Sequence, residues 1–157
     1  MRDCQIETDM EILLPDLYIN NTTERLSLYK ELDNINTEDQ LLKFQERLID
    51  RFGPVPPETQ ELIHTIRLRW LAKELGIEKL VLKNGVLVGY FVHNQDSPYY
   101  QSEMFSAVLR YVQNNPKACR IKESNAKLTL TFQNVITILD ALDVLRPLLN
   151  QSLQAKF

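Results

Sequence analysis

The chain has 157 residues, 44% of them hydrophobic and 25% charged, which suits one folded domain of ordinary soluble composition, or one domain plus a short tail. A formal net charge of −3 argues against a broad footprint on nucleic acid, which needs clustered Lys and Arg against phosphates, and leaves room only for a local basic face. Cys4 and Cys119 define neither a disulfide framework nor a zinc spacing, and no apolar run approaches the roughly 18 residues of a membrane span, so the reading is a cytoplasmic protein with reduced thiols and no membrane partner.

Residues 1–10 are polar and weakly patterned and read as a tail or the end of a linker, with 11–157 as a single domain. Ile12-Leu13-Leu14, Leu17 and Ile19 around Pro15 predict an extended segment lying on that domain. Asn21 to Thr23 supply N-caps for a helix ending near Leu32 or Asp33, with Glu24 in its first turn. Thr37 and Gln40 form a capping box opening a second helix to Arg51 or Phe52. At 100° per residue its Leu41, Leu42, Phe44, Leu48 and Ile49 fall on one arc, expected to be core, and Lys43, Glu46, Arg47 and Asp50 fall on the other.

Asp50-Arg51-Phe52-Gly53-Pro54-Val55-Pro56-Pro57 predicts a rigid corner. Gly53 closes the second helix, Pro54 and Pro56 forbid its continuation, and Pro57 suits the first turn of a third. That third helix, Pro57 to Leu75, has apolar residues on two sides, Leu62, Ile63, Ile66 and Trp70 against Leu68, Leu71, Ala72 and Leu75, and should be sandwiched between other elements, with Gly76 closing it. From Glu78 the period changes to that of strands. Two strands flank Asn84-Gly85, a strong hairpin signal, and a helix from Ser97-Pro98 ends before Pro116. A second hairpin, 118–122 and 127–132, precedes a last helix capped by Asn134 and frayed or kinked at Pro147. The fold class is therefore α+β: an N-terminal helical layer followed by two β-β-α units forming a small, mostly antiparallel sheet.

No phosphate-binding Gly-rich loop is present, and His64 and His93 lack partners at metal-ligand spacing, so no cofactor, metal or catalytic residue is assigned. Cys119 reads as a small buried side chain, and Glu58 and Glu61 as a dipole-favoured first turn. The strip Lys43, Glu46, Arg47, Asp50 has two readings. It is either a solvated face, as most charge strips are, or a docking site. A carboxylate near a helix C-terminus, as Asp50 is, costs a few tenths of a kcal/mol and so calls for a partner, with Arg47 or Arg51 within reach. The rival is a nucleic-acid module using Arg67, Arg69, Lys73 and Lys79, or stacking on Tyr99 and Tyr100, each with a bland reading as solvated edge or packing.

The corner Asp50-Arg51-Phe52-Gly53-Pro54-Val55-Pro56 resembles the D-R-F-G-x-x-P signature in the C-terminal domain of bacterial transcription-repair coupling factor (Mfd). Pro15, Tyr18 and Ile19 resemble that family's P-x-x-Y-[IV], Arg25-Leu26 with Tyr29-Lys30 its R-L-x-x-Y-K, and Ala72 with Leu75-Gly76-Ile77 its A-x-x-L-G-I; the match is dense from about Glu11 to Leu80. The resemblance implies a regulatory domain without nucleotide-hydrolysing motifs, carried by an ATP-driven DNA translocase that displaces stalled RNA polymerase and recruits the UvrA repair machinery. It implies docking on the N-terminal UvrB-like module of the same protein, which masks the UvrA-binding surface. It also implies that two acids on the helix before D-R-F-G carry the docking. Asp50 matches one, but Arg47 stands at the other, and Glu46 supplies a carboxylate only from a rotated position.

Overall fold

A computed structural model describes residues 3–154, with side chains described through 151; residues 1–2 of the expected tail and 155–157 of the expected domain lie outside them. The described chain forms two compact units: Glu11–Arg67, and residues 3–10 with 68–154. The α+β order is as expected, with three helices preceding two β-β-α units.

In the first unit, α1 (Thr22–Asp33) is capped by Asn21, whose side chain accepts from the Glu24 N–H. α2 (Glu38–Phe52) is capped by Thr37, which accepts from Gln40 N, while Gln40 Oε1 reaches back to Asn36 N. α3 (Pro57–Leu75) has residues in both units; Leu68, Leu71, Ala72 and Leu75 on one expected apolar side are buried, while on the other Ile63 and Ile66 are buried but Leu62 and Trp70 are only partly so.

The second unit is built on a five-stranded sheet in which Gln5–Thr8 (β1), Ile77–Lys83 (β2), Val86–Phe91 (β3), Lys127–Gln133 (β5) and Cys119–Ser124 (β4) lie side by side in that order. β2 (Ile77–Lys83) and β3 (Val86–Phe91) form a hairpin whose turn residues Asn84 and Gly85 both have positive φ, 54° and 74°, as a type I′ turn requires. β4 (Cys119–Ser124) and β5 (Lys127–Gln133) form the second hairpin, and β3 pairs antiparallel with β5. Its turn, Asn125-Ala126, also has two positive φ angles, 52° and 61°, so an alanine occupies a conformation that costs a side chain about 1 kcal/mol. Ala126→Gly should therefore raise stability by up to about 1 kcal/mol in urea unfolding; an unchanged midpoint would show that the turn relaxes instead.

Four expectations are corrected. Within the expected tail, Gln5–Thr8 form an edge strand, β1, parallel to β2 with Ile6 beside Leu80, because β2 would otherwise leave its outer backbone edge unpaired. The helix begun at Ser97-Pro98 breaks in two, a 3₁₀ turn Pro98–Gln101 and α4 (Glu103–Asn114), since Ser102 ends the first and caps the second. Asn134 does not cap α5 (Ile138–Gln154); it sits at φ 60°, and the cap is a reciprocal Thr137/Asp140 pair in which Thr137 Oγ1 accepts from Asp140 N and Asp140 Oδ2 from Thr137 N. Pro147 lies inside α5, which continues past it, with Leu145 and Leu148 buried on either side.

The strand register separates two faces of the sheet. Leu80, Leu82, Leu87, Phe91, Leu130, Phe132 and Cys119 project to one face and are all buried. The alternate residues, among them Val81, Val88, Tyr90, Thr129 and Thr131, remain partly open, and none of them is buried.

Candidate docking site

The corner is held by hydrogen bonds among residues far apart in sequence. Gly53 donates to Ile49 O and takes φ 86° with ψ −165°, a region that only glycine occupies readily, rather than the left-handed helical region expected of a helix cap. Its carbonyl accepts from the Tyr18 hydroxyl at 2.8 Å, and the same hydroxyl reaches Leu48 O at 3.3 Å. Phe52 packs on Tyr18, with ring centroids 5.8 Å apart, and the Arg51 guanidinium lies 4.8 Å over the Phe52 ring. Pro54 follows Gly53 in the turn, and the Pro56 carbonyl accepts from Thr59 N and Gln60 N to start α3.

The segment before α1 is not extended throughout as expected: it turns at Asp16–Tyr18, where Pro15 O accepts from Tyr18 N and Ile19 N and Leu17 stands fully exposed, and it is tied down in the same way. Arg25 donates to Ile19 O at 2.6 Å and pairs with Asp16, Leu14 N donates to the Tyr29 hydroxyl at 2.7 Å, and buried Thr59 donates to Leu13 O. The residues at the most distinctive positions of the chain, Tyr18, Arg25, Tyr29 and Gly53, thus serve to build one corner. Asp50 does not take part in it.

The charged strip on α2 is assembled as expected: Lys43, Glu46, Arg47 and Asp50 are all exposed and line a wide, shallow depression of about 590 Å³. The pairing within it differs from expectation. Lys43 pairs back to Asp39 at 3.2 Å, while both arginines proposed as partners for Asp50 turn to α1, Arg47 to Glu31 and Arg51 to Glu24. Glu46 and Asp50, one turn apart, have no ion pair or hydrogen bond to their side chains among the described residues. Arg47, in the place of the second expected acid, is thereby neutralised by Glu31, and the unpaired charge of the strip is acidic.

Two apolar side chains belong to this surface and were not expected there. Leu42 and Ile49 are 46% and 47% exposed, whereas Leu41, Phe44 and Leu48 are buried. Leu42, Glu46, Ile49 and Asp50 follow helical spacing along one stripe. Angular projection put Leu42 and Ile49 on the core arc; only the position of α1 and the corner could show that the core ends before reaching them.

Several of the other candidates have local structural roles. Arg67 makes a bidentate contact with Glu38 and lies 3.2 Å from His64 Nδ1; Lys79 pairs with Glu7. Tyr99 and Tyr100 pack against Phe105, and their hydroxyls donate to Leu75 O and Val92 O, with burial pushing both phenols above their ordinary range. Cys4 and Cys119 are buried free thiols; burial, opposed by Arg69, pushes Cys4 up to about 12, so neither is an activated nucleophile. Among the described residues no three His, Cys, Asp or Glu side chains gather as a metal set, and no helix is long and apolar enough to cross a membrane.

The molecule is therefore an α+β domain whose polar residues organise a helix corner and an exposed acidic and apolar stripe. The model of the TRCF domain family matches residues 8–102, and the chain belongs to that family. It is 42% identical over 76 residues to the transcription-repair-coupling factor of Escherichia coli (strain K12), covering 48% of this chain and 7% of that protein. It is 27% identical over 135 residues to that of Rickettsia prowazekii (strain Madrid E), covering 84% of this chain and 11% of that protein, so it spans about a tenth of the length of such relatives. Its fold matches a crystal structure of the C-terminal domain of a transcription-repair coupling factor, with a TM-score of 0.73 at 19% identity over 98% of both chains.

Proposed function

We propose that this TRCF domain is a non-catalytic regulatory module of a transcription-repair coupling factor. It docks through the α2 stripe on the N-terminal UvrB-like module of the same protein and masks the surface that UvrA would bind until RNA polymerase is engaged. The observation that carries this reading is the pair of carboxylates, Glu46 and Asp50, left without partners while the neighbouring arginines are drawn to α1. An acidic pair flanked by Leu42 and Ile49 fits a basic surface with an apolar patch. Exposed charge pairs contribute little net affinity and are screened by salt, so the contact releases readily; a covalent tether raises the effective concentration enough to keep it closed at rest.

The test is titration of the chain with the separately expressed UvrB-like module at low and moderate salt. Salt-sensitive binding is expected, with Asp50→Arg weakening it about tenfold or more and Glu46→Arg by a similar factor. Binding that ignores both reversals, or no binding at high micromolar concentration, would remove the α2 stripe as the docking site.

A further inference from the structure

The open face of the sheet carries a pattern that docking through α2 does not use. Glu11–Arg67 contains eleven acidic and six basic residues, while the rest of the chain contains ten acidic and twelve basic ones, so the small overall charge hides a basic second unit. Much of that excess lies on one sheet surface. The register places Lys122, Thr129, Tyr90 and Lys79 side by side across β4, β5, β3 and β2, and Arg120, Thr131, Val88 and Val81 in the adjacent row. Lys127 and Lys83 extend the same face at its two ends.

Lys79 is held by Glu7 and lies 5.8 Å over the Tyr90 ring. Lys83, Arg120, Lys122 and Lys127 are exposed and have no ion-pair partner among the described residues. The acidic residues Asp3, Glu7 and Asp9 lie on or beside β1, at the opposite edge from Arg120 and Lys122. At one end of the face, Tyr90, Lys79, Lys127 and His93 border a cavity of about 410 Å³, within the range that receives a small planar ligand; Asp3 and Glu78 also line it, so a base rather than a phosphate suits this end. Tyr18, Tyr99 and Tyr100 spend their hydroxyls on backbone carbonyls, whereas the Tyr90 hydroxyl has no bond among the described residues.

We propose that this face binds single-stranded nucleic acid. Arg120 and Lys122, two residues apart on an edge strand, stand about 6.6 Å apart along it and meet successive phosphates of an extended strand. Tyr90, about two strand spacings inward, offers a ring for a base at the cavity, and Thr131 lies on the same face between the ring and the cations as a hydroxyl donor, whereas the Thr129 hydroxyl already donates to Lys122 O. A duplex is a poorer fit, since its bases are not free to meet the ring. The surface is distinct from the basic α3 residues, of which Arg67 is committed to Glu38.

Fluorescence anisotropy of the full chain with a labelled single strand of about 20 nucleotides tests this, in parallel with a poly-glutamate peptide of similar length. Binding is expected to weaken with salt with a slope near −3 in log–log form, about 0.7 for each of the four unpaired cations. Lys122→Glu should lower affinity about tenfold and flatten the slope, Tyr90→Ala should lower affinity about tenfold at nearly unchanged slope, and Lys30→Glu on α1, with the same change in charge, should do neither. The proposal is overturned if no binding is seen at about 50 mM salt, if Lys30→Glu costs as much as Lys122→Glu, or if the peptide binds as tightly as the oligonucleotide, which would make the face a site for acidic protein. Thermal melts of each variant separate loss of binding from loss of fold.

Discussion

Gly76→Ala should destabilise this chain by about 3 kcal/mol or more, and Gly53→Ala by about 1 to 3, although both glycines have nearly the same φ, 82° and 86°. At Gly53 nothing lies within 4 Å of a new Cβ, so the cost is backbone strain alone. At Gly76 a Cβ would sit 2.1 Å from Tyr99 Cε1. The ring has little freedom to retreat. Its hydroxyl is bonded to Leu75 O, and Phe91, Tyr100 and Phe105 surround it at centroid distances of 6.2, 5.3 and 5.4 Å. Urea unfolding of the two variants measures the difference, and the double variant Gly76→Ala/Tyr99→Ala separates its causes: if the ring is the obstacle, the double variant loses less than the sum of the singles. Equal losses for Gly53→Ala and Gly76→Ala would show that strain dominates and the ring moves aside.

Phe44→Ala should cost about 3 to 5 kcal/mol, while Leu42→Ser and Ile49→Ser should change stability by no more than about 0.5. Phe44 is 1% exposed between buried Leu41 and Leu48, so its removal leaves a cavity in the small core of the helical unit. Leu42 and Ile49, nearly half exposed on the same helix, lose far less buried contact when shortened. The contrast has a use in the docking titration. Phe44→Ala would weaken binding by unfolding α2, whereas Ile49→Ser should weaken it several-fold with an unchanged melting profile. A drop in melting temperature for Ile49→Ser comparable with that of Phe44→Ala would mean that the exposed stripe is part of the core after all.

Features governed by a few adjacent residues were legible in the sequence. The Asn84-Gly85 turn, the Thr37 cap and the ending of α2 at Gly53 all follow from local backbone preferences, and the structure places them where those preferences point. The exposed charge strip was legible for the same reason, since helical spacing alone puts Lys43, Glu46, Arg47 and Asp50 together. What that strip is worth was not. Whether Arg47 answers Asp50 or Glu31 depends on where α1 lies, and that is set by packing. The strand at Gln5–Thr8 was hidden because its single apolar residue, Ile6, makes no alternation worth reading, and its hydrogen bonds go to a strand encoded beyond three helices. Asn134 misled because a left-handed asparagine and a helix N-cap draw on the same short polar side chain.

The parallel pairing of Gln5–Thr8 with β2 also sets an order of events during synthesis. Gln5 leaves the ribosome long before Lys79, its neighbour in the sheet. At ordinary elongation rates the delay is on the order of ten seconds, far longer than a helix or a hairpin takes to form. The helical unit can therefore be complete while the first strand still waits, and closing the sheet joins the most distant pairing in the fold. An unpaired strand in a nascent chain is a hazard when it is apolar. With Gln5, Glu7 and Thr8 around one isoleucine, this one is polar enough to wait in water.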